Sequence, residues 1–178
     1  MMRYAILALL IFYVVLSCQK NREEAHQDYS KLLNAEVIED IRLRYSDSAQ
    51  LKAIITGPKL LRYSKENKET FPEGIHATFY SIDGTPNSQL KAGQAYRFPR
   101  KNKIIVEDHV ILYNQQGDSL ITSQLTWDEK KDKIYTNRFV RLTKRDRVIL
   151  GYGFESNQDF TKGRIKAIQG TWKLDDDK

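Results

Sequence analysis

Cys18 is the only cysteine in the chain, and its thiol is the strongest latent nucleophile the sequence offers. A lone thiol has no intramolecular disulfide partner. Its chemistry is therefore a modification supplied from outside, or none. The histidines His26, His76 and His109 lie far apart and lack the spacing of a metal-ligand set. Glu107-Asp108-His109 puts two carboxylates beside an imidazole, which are the groups general acid–base catalysis uses. On a strand, however, neighbours point to opposite faces, so only Glu107 and His109 share a side. A solvated strand segment is the expectation there. Gly151-x-Gly153 has serine at position 156, where a dinucleotide turn would need its third glycine, and no helix pattern opens after it. A backbone bend within a strand is the better reading. No G-x-S-x-G nucleophile motif occurs, and Asp175-Asp176-Asp177 reads as a solvated tail. No catalytic residue, cofactor site or metal site emerges, and the chain is expected not to be an enzyme.

The thiol gains meaning from its position. Arg3 precedes an uncharged run, Tyr4 to Leu16 (YAILALLIFYVVL), closed by Ser17 and Cys18 and followed by the polar stretch Gln19 to Glu24. A basic start, a short apolar stretch and a small residue form a secretory signal. Such a run spans roughly 20 Å as a helix, against about 30 Å of bilayer hydrocarbon. Val15-Leu16-Ser17-Cys18 resembles a bacterial lipobox, in which the cysteine becomes residue one of the mature protein and carries lipid, although Leu16 fits that pattern imperfectly. The expectation is a signal peptide over 1–17, lipid attachment at Cys18, and a domain held at a membrane through that lipid. A plain cleaved signal and an uncleaved anchor are the competing readings.

Without residues 1–17 the chain loses Arg3 alone among its charges, so a net charge of +6 becomes +5. Lys and Arg alternate with Asp and Glu (RLRYSD, DEKKDK, RLTKRDR) instead of forming the stripe expected of a nucleic-acid protein. No nucleic-acid partner is expected, and stability must come from packing without disulfides.

The elements that would carry any function are strands. Residues 18–37 read as a polar, lipid-anchored tether and 38–178 as one domain. Leu32 to Ile41 is ambiguous between helix and strand. After it come short apolar or β-branched runs broken by turn residues: Leu51–Thr56 before Gly57-Pro58, Ile75–Ile82 before Asp83-Gly84, Leu90–Phe98, Ile104–Tyr113, Ser119–Trp127, Lys133–Thr143, Val148–Phe154 and Arg164–Trp172. This spacing predicts an all-β sandwich or barrel. Ile104, Val106, Val110 and Leu112 share one parity, broken at Asp108. Ile134, Thr136, Val140 and Leu142 share another, broken at Arg138. Period-two alternation puts each set on one face of a sheet. The opposite face is not cleanly polar, since Ile105, Ile111, Tyr113, Tyr135 and Phe139 lie on it.

From Lys103 onward the ordered residues Val110, Leu112, Asn114, Gly117, Asp118, Leu120, Thr122, Leu125, Trp127, Asp128, Ile134, Thr136, Val140, Gly151, Gly153, Phe154 and Asn157 resemble the LptC family. The earlier segments DIRLRYSDSAQLKAIITGPKLLRY and FPEGIHATFY resemble its first part. The resemblance implies an open β-jellyroll of the LptA/LptC type. It also implies transport of lipopolysaccharide to the outer membrane. Lipopolysaccharide would be received from the inner-membrane ABC transporter at the periplasmic face of the inner membrane and passed to an LptA-like periplasmic bridge protein. Many LptC proteins begin with an uncleaved transmembrane helix, from which the lipobox-like Cys18 departs. Transfer of acyl chains needs a continuous apolar trough. The expected lining is Ile104, Val106, Val110, Leu112, Leu125, Ile134, Val140 and Leu142. The expected partner edge is Arg164, Ile165, Lys166, Ala167 and Ile168. A stand-alone carrier of another hydrophobic ligand, or an envelope scaffold without a ligand, are the alternatives.

Overall fold

A computed structural model describes residues 34–173. Among these the chain forms eleven antiparallel strands: β1 (Glu36–Asp47), β2 (Gln50–Tyr63), β3 (Lys68–Phe71), β4 (Ile75–Tyr80), β5 (Pro86–Ala92), β6 (Gln94–Phe98), β7 (Lys103–Asn114), β8 (Ser119–Asp128), β9 (Lys133–Lys144), β10 (Arg147–Asn157) and β11 (Arg164–Lys173). Pro99–Lys101 makes one 3-10 turn. The strand path runs β11-β10-β9-β8-β7. It then reaches β2 by two routes, through β5 and β4 or through β6 and β3. β1 closes the path on the far side of β2.

Those two routes exist because a crease crosses the whole sheet. β2 bends at Gly57-Pro58, opposite Asp40, whose φ is 50°. The β3–β4 segment breaks at Pro72-Glu73-Gly74, and the β5–β6 segment at Gly93. β7 carries a bulge at Asp108 and His109, both in the left-handed region. The ladder slips again between Thr122 and Thr126 of β8, and beside Gly153 of β10. A bulge adds a residue to one strand and bends it, so a row of them folds one sheet over on itself. Gly74 has φ 91°, and a Cβ there would lie 2.8 Å from the carbonyl oxygen of Ala92. Only glycine fits that bend without a shift.

We term the two resulting parts half A and half B. Half A comprises Ile41–Asp47, Gln50–Gly57, β4, β5, Val110–Asn114, Ser119–Thr122, Phe139–Lys144, Arg147–Tyr152 and Ala167–Lys173. Half B holds the remaining strand segments. Their inner faces meet: the ring of Phe79 (half A) packs edge-on against Trp127 (half B) at 5.0 Å, and Tyr45 (half A) against the same indole at 5.4 Å. One hydrophobic core fills the space between them. The fold is all-β and jellyroll-like, as the sequence spacing and the resemblance imply.

Several boundaries differ from the sequence reading, each for a physical reason. Leu32–Ile41 resolves as strand from Glu36 onward, because Ile38 pairs with Leu60 on β2. β2 does not stop at Gly57-Pro58 but bends there and continues to Tyr63. The expected single strand over Leu90–Phe98 is two, split at Gly93, whose N–H donates to Asp108 O at 2.7 Å. β3, only four residues with the polar pattern KETF, gave no apolar signal. The signal segment 1–17 and Cys18 lie outside the described residues.

Candidate functional site: the apolar interior

Alternation in half A places one side chain per strand in a continuous inner row. Cross-strand neighbours are Leu43, Ile55, Ala77, Leu90, Leu112, Leu120, Leu142 and Ile149 in turn. The row therefore runs from β1 to β10, the strand beside β11. In half B the facing surface is built from Leu60, Phe71, Ala95, Val106, Leu125, Ile104, Trp127 and Ile134. All eight side chains expected to line the trough, Ile104, Val106, Val110, Leu112, Leu125, Ile134, Val140 and Leu142, are buried here and belong to this one core.

The bulges explain how their parities fit together. In β7 the even positions stay inward on both sides of Asp108-His109. In β8 the inward set changes from Leu120 and Thr122 to Leu125 and Trp127 across the crease. Asp108 and His109 are not spread to opposite faces as regular alternation requires. Both are exposed, and the His109 Nδ1 and Asp108 Oδ1 atoms pair at 2.5 Å. Among the described residues no group of His, Asp or Glu converges as a metal site.

Sequence reasoning missed the aromatic half of the interior. Phe71, Phe79 and Phe154 are fully buried, and Phe160 packs edge-on against Phe154 at 5.8 Å. Phe79 was recoverable, since Ile75, Ala77 and Phe79 alternate without a break. Phe160 was not, because it lies in the loop before β11 with φ 57°.

Opposite the crease, the turns of the two halves meet and close the interior. The Tyr45 hydroxyl donates to Glu129 O at 3.1 Å. Burial, with the nearby Glu129, Asp132 and Asp47 carboxylates, raises the Tyr45 pKa and keeps it a neutral donor. The loop after β10 spans the same opening: Ser88 Oγ donates to Gln158 O at 2.9 Å, and Asn114 Nδ2 to Phe160 O at 3.4 Å. At the far end of half B a polar chain seals the core. Glu69 accepts from Arg62 at 2.9 Å and from Arg97 at 3.1 Å, and Arg97 also reaches Glu129 at 3.1 Å. Burial works against the Arg97 charge, but Glu129 and Glu69 outweigh it and hold its pKa above the ordinary value. Thr70 Oγ1, Trp127 Nε1–H and Gln158 Oε1 are buried without a hydrogen-bond partner.

At the sheet's ends, β1 pairs with β2 alone and β11 with β10 alone among the described residues. On β11, Arg164, Lys166, Ala167 and Ile168 are exposed, while Ile165 packs against the core. Arg164 is tied to Glu155 at 2.6 Å, and Lys166 donates to Asn137 Oδ1 at 3.2 Å.

The arrangement can solvate hydrocarbon and offers two strand edges. It gathers no nucleophile and base. Over residues 4–167 the chain matches the family described as lipopolysaccharide-assembly, LptC-related. No curated protein sequence matches it. The family is a transport component of the Gram-negative cell envelope with a periplasmic location, and its role involves lipopolysaccharide and the Lpt transporter. With the match covering most of its length, the chain belongs to the LptC-related lipopolysaccharide-assembly family.

Proposed function

We propose that this protein receives lipopolysaccharide from the inner-membrane ABC transporter and hands it to a periplasmic β-jellyroll bridge, with acyl chains passing between halves A and B. The observation that carries the reading is the inner row of half A, apolar from β1 to Ile149 on the strand next to β11. A path bounded by the two terminal strands of a sheet suits a component that stands between two similar folds. Each methylene kept from water is worth about 0.8 kcal/mol, so an interrupted path would stop an acyl chain. The unpartnered Trp127 N–H and Gln158 carbonyl give an ester or amide of the lipid something to bond. For chains to enter, the Tyr45–Glu129 and Ser88–Gln158 closures opposite the crease would part.

On this reading Ile104, Val106, Val110, Leu112, Leu125, Ile134, Val140 and Leu142 touch lipid. β11 adds to the bridge protein by strand pairing, β1 faces the transporter, and Cys18 carries the membrane anchor. A photocrosslinking residue at Val110 or Leu112 is expected to capture lipopolysaccharide in cells, whereas one at Ile111, on the outer face, is not. Equal capture from both faces would defeat the assignment. Ile168→Pro removes a backbone donor from β11 and is expected to weaken pull-down of the bridge protein while capture at Leu112 persists. A solitary carrier would show capture without any bridge association. A scaffold would show no capture at all. Intact mass of the membrane-extracted protein tests the anchor: a chain beginning at Cys18 with added lipid is expected, and one retaining residues 1–17 would rule it out.

A further inference from the structure

Among the described residues the outer face of half A is set apart by its charge. Between the crease and the terminal turns its strand segments Ile41–Ser46, Leu51–Gly57, β4, β5, Val110–Asn114, Ser119–Thr122, Phe139–Lys144, Arg147–Tyr152 and Ala167–Lys173 contain no Asp or Glu. Two rows of cross-strand neighbours face outward. One reads Arg42, Thr56, His76, Lys91, Ile111, Ile121, Arg141, Leu150, Gly170. The other reads Arg44, Ile54, Thr78, Gln89, Tyr113, Ser119, Thr143, Val148, Trp172. Nine strands at about 4.8 Å spacing make this face roughly 38 Å wide.

Its apolar groups are left in solvent. Ile111 is 37% exposed, Ile121 43%, Phe139 44%, Tyr152 53% and Trp172 54%. They adjoin in two pairs: Ile111 pairs with Ile121, and the Phe139 and Tyr152 rings meet at 5.3 Å. Arg42, Arg44 and Arg141 make no ion pair among the described residues. The Lys91 ammonium lies over the Tyr113 ring at 5.9 Å. Acids border the face instead: Asp40 and Glu73 at the crease beside Arg42 and Lys91, Asp108 at the crease near Ile121, and Asp47, Asp83, Asp118, Asp132 and Asp146 at the turns, where Asp132 pairs with Lys52, Asp118 is near Lys144 and Asp146 bonds Arg147.

We propose that this face docks on an anionic lipid bilayer surface. Exposed Trp, Tyr and Phe with isoleucines suit the headgroup–acyl boundary, where an aromatic ring has one apolar and one polar neighbour. The unpaired arginines and Lys91 supply charge complementarity, each cation near an anionic surface being worth roughly fivefold in binding. An acidic protein would satisfy the arginines equally well, but the hollow beside Arg42, Thr56, His76 and Lys91 at the crease already holds the carboxylates Asp40 and Glu73, and the exposed rings of Phe139, Tyr152 and Trp172 stand outside it, so the face lacks the buried aromatic hot-spot centre of a protein interface. The proposal is independent of what the interior carries.

The two tryptophans make a direct test possible, since Trp127 is 2% exposed and Trp172 54%. The full chain, its N-terminal segment included, is reconstituted with vesicles of equimolar brominated phosphatidylcholine and phosphatidylglycerol, or of brominated phosphatidylcholine alone. Subtracting the emission of Trp172→Phe isolates Trp172. The expected result is that Trp172 shifts to the blue and loses most of its emission with the anionic vesicles, and not with the neutral ones. The Arg42→Gln/Arg44→Gln/Lys91→Gln/Arg141→Gln protein should abolish that quenching. A Lys59→Gln/Lys68→Gln/Lys103→Gln protein, altered in half B, should keep it. Circular dichroism of both variants should match wild type. A membrane anchor at the N-terminus does not by itself orient this face, so anchoring alone leaves Trp172 unquenched. Trp172 unquenched in both vesicles, as it would be if the face binds an acidic protein instead, overturns the proposal. So does quenching that survives the fourfold substitution.

Discussion

In half A, Arg42, Arg44 and Arg141 stand on the outer face, and between the crease and the terminal Asp47 their strand segments hold no carboxylate. In half B, Glu39 stands opposite Lys59, Glu155 is bonded to Arg164 with Lys133 3.9 Å away, and Glu69 is held between Arg62 and Arg97. The inner faces reverse the contrast. That of half A is an aliphatic row with one buried carboxylate, Asp118, in an end turn, whereas half B ends in two, Glu69 and Glu129, joined through Arg97. The strands cross the crease nine times from β1 to β11, and the handling of charge differs on its two sides while the inner apolar alternation continues. Burial therefore fixes the inner pattern in both halves, and the outer faces are free to diverge. Divergence on that scale, within one sheet, points to different neighbours for the two faces.

The comparison is broken most severely by attacking what the halves share. Trp127 touches Phe79 and Tyr45 across the interior, so Trp127→Ala is expected to cost about 3–5 kcal/mol. Denaturant unfolding followed by circular dichroism should remain a single transition, at lower denaturant. Two separate transitions would show that half A and half B are stable independently, and the shared-core description would fail.

Next in size is the charge contrast itself. Arg97→Met leaves the nearly inaccessible Glu129 without its cation and Glu69 with Arg62 alone. Breaking a buried network from one side costs about 3 kcal/mol. Arg141→Met, on the outer face of half A with no ion pair to lose, is expected to stay within about 0.5 kcal/mol. Equal losses in thermal denaturation would erase the distinction between the halves.

How much of this was legible follows from the crease. Parity found the inner residues of β7 and β9, because the interruption in each leaves inward positions on one parity: Ile104 to Leu112, and Ile134 to Leu142. It gave no alternation for β8 and passed over Trp127 as a lining residue, because the slip after Thr122 changes parity within that strand. Asp108 and Arg138 showed as exceptions in the sequence, yet nothing local says that exceptions on neighbouring strands line up into one fold line. That alignment is a matter of register between distant segments. The same holds for the acid-free face: its segments are short and scattered along the chain, and become one surface only after the strands are cut at the crease. The closures by Tyr45 and by the Gln158–Phe160 loop depend on contacts 84 and 70 residues apart, which no periodicity reports.

A smaller effect tests the crease against an ordinary turn. Gly74 and Gly84 both have positive φ, 91° and 81°. An added Cβ at Gly84 meets nothing within 4 Å, whereas at Gly74 it meets the Ala92 carbonyl oxygen. Gly84→Ala should cost about 1 kcal/mol from backbone strain alone. Gly74→Ala should cost about 1 kcal/mol more, because a clash with backbone is added. If thermal unfolding gives the same shift for both, the sheet is softer at the bend than close packing of two halves allows.

The least effect, and the finest distinction, concerns how β11 is held to half B. The Glu155 carboxylate accepts from Arg164 Nε at 2.7 Å and Nη2 at 2.6 Å, and that donor lowers its pKa below the ordinary glutamate value. A carboxyl whose pKa is lowered on folding contributes stability above its unfolded pKa and loses it as pH falls through the folded value. The tie is therefore complete at neutral pH and fades in acid, below the usual glutamate range. Because both side chains lie at the surface the effect on global stability is small, but β11 is a terminal strand and opens on its own more readily than the core. Amide exchange of Ile165 and Ala167, corrected for intrinsic rates, should accelerate as pH falls through the Glu155 titration. In Glu155→Gln it should be faster at neutral pH and independent of that titration. Exchange of Leu112, in the shared core, should follow neither change. Were Ile165 to exchange identically in wild type and Glu155→Gln at every pH, the backbone ladder to β10 alone would hold the strand, and the ion pairs of half B would be surface decoration at this edge.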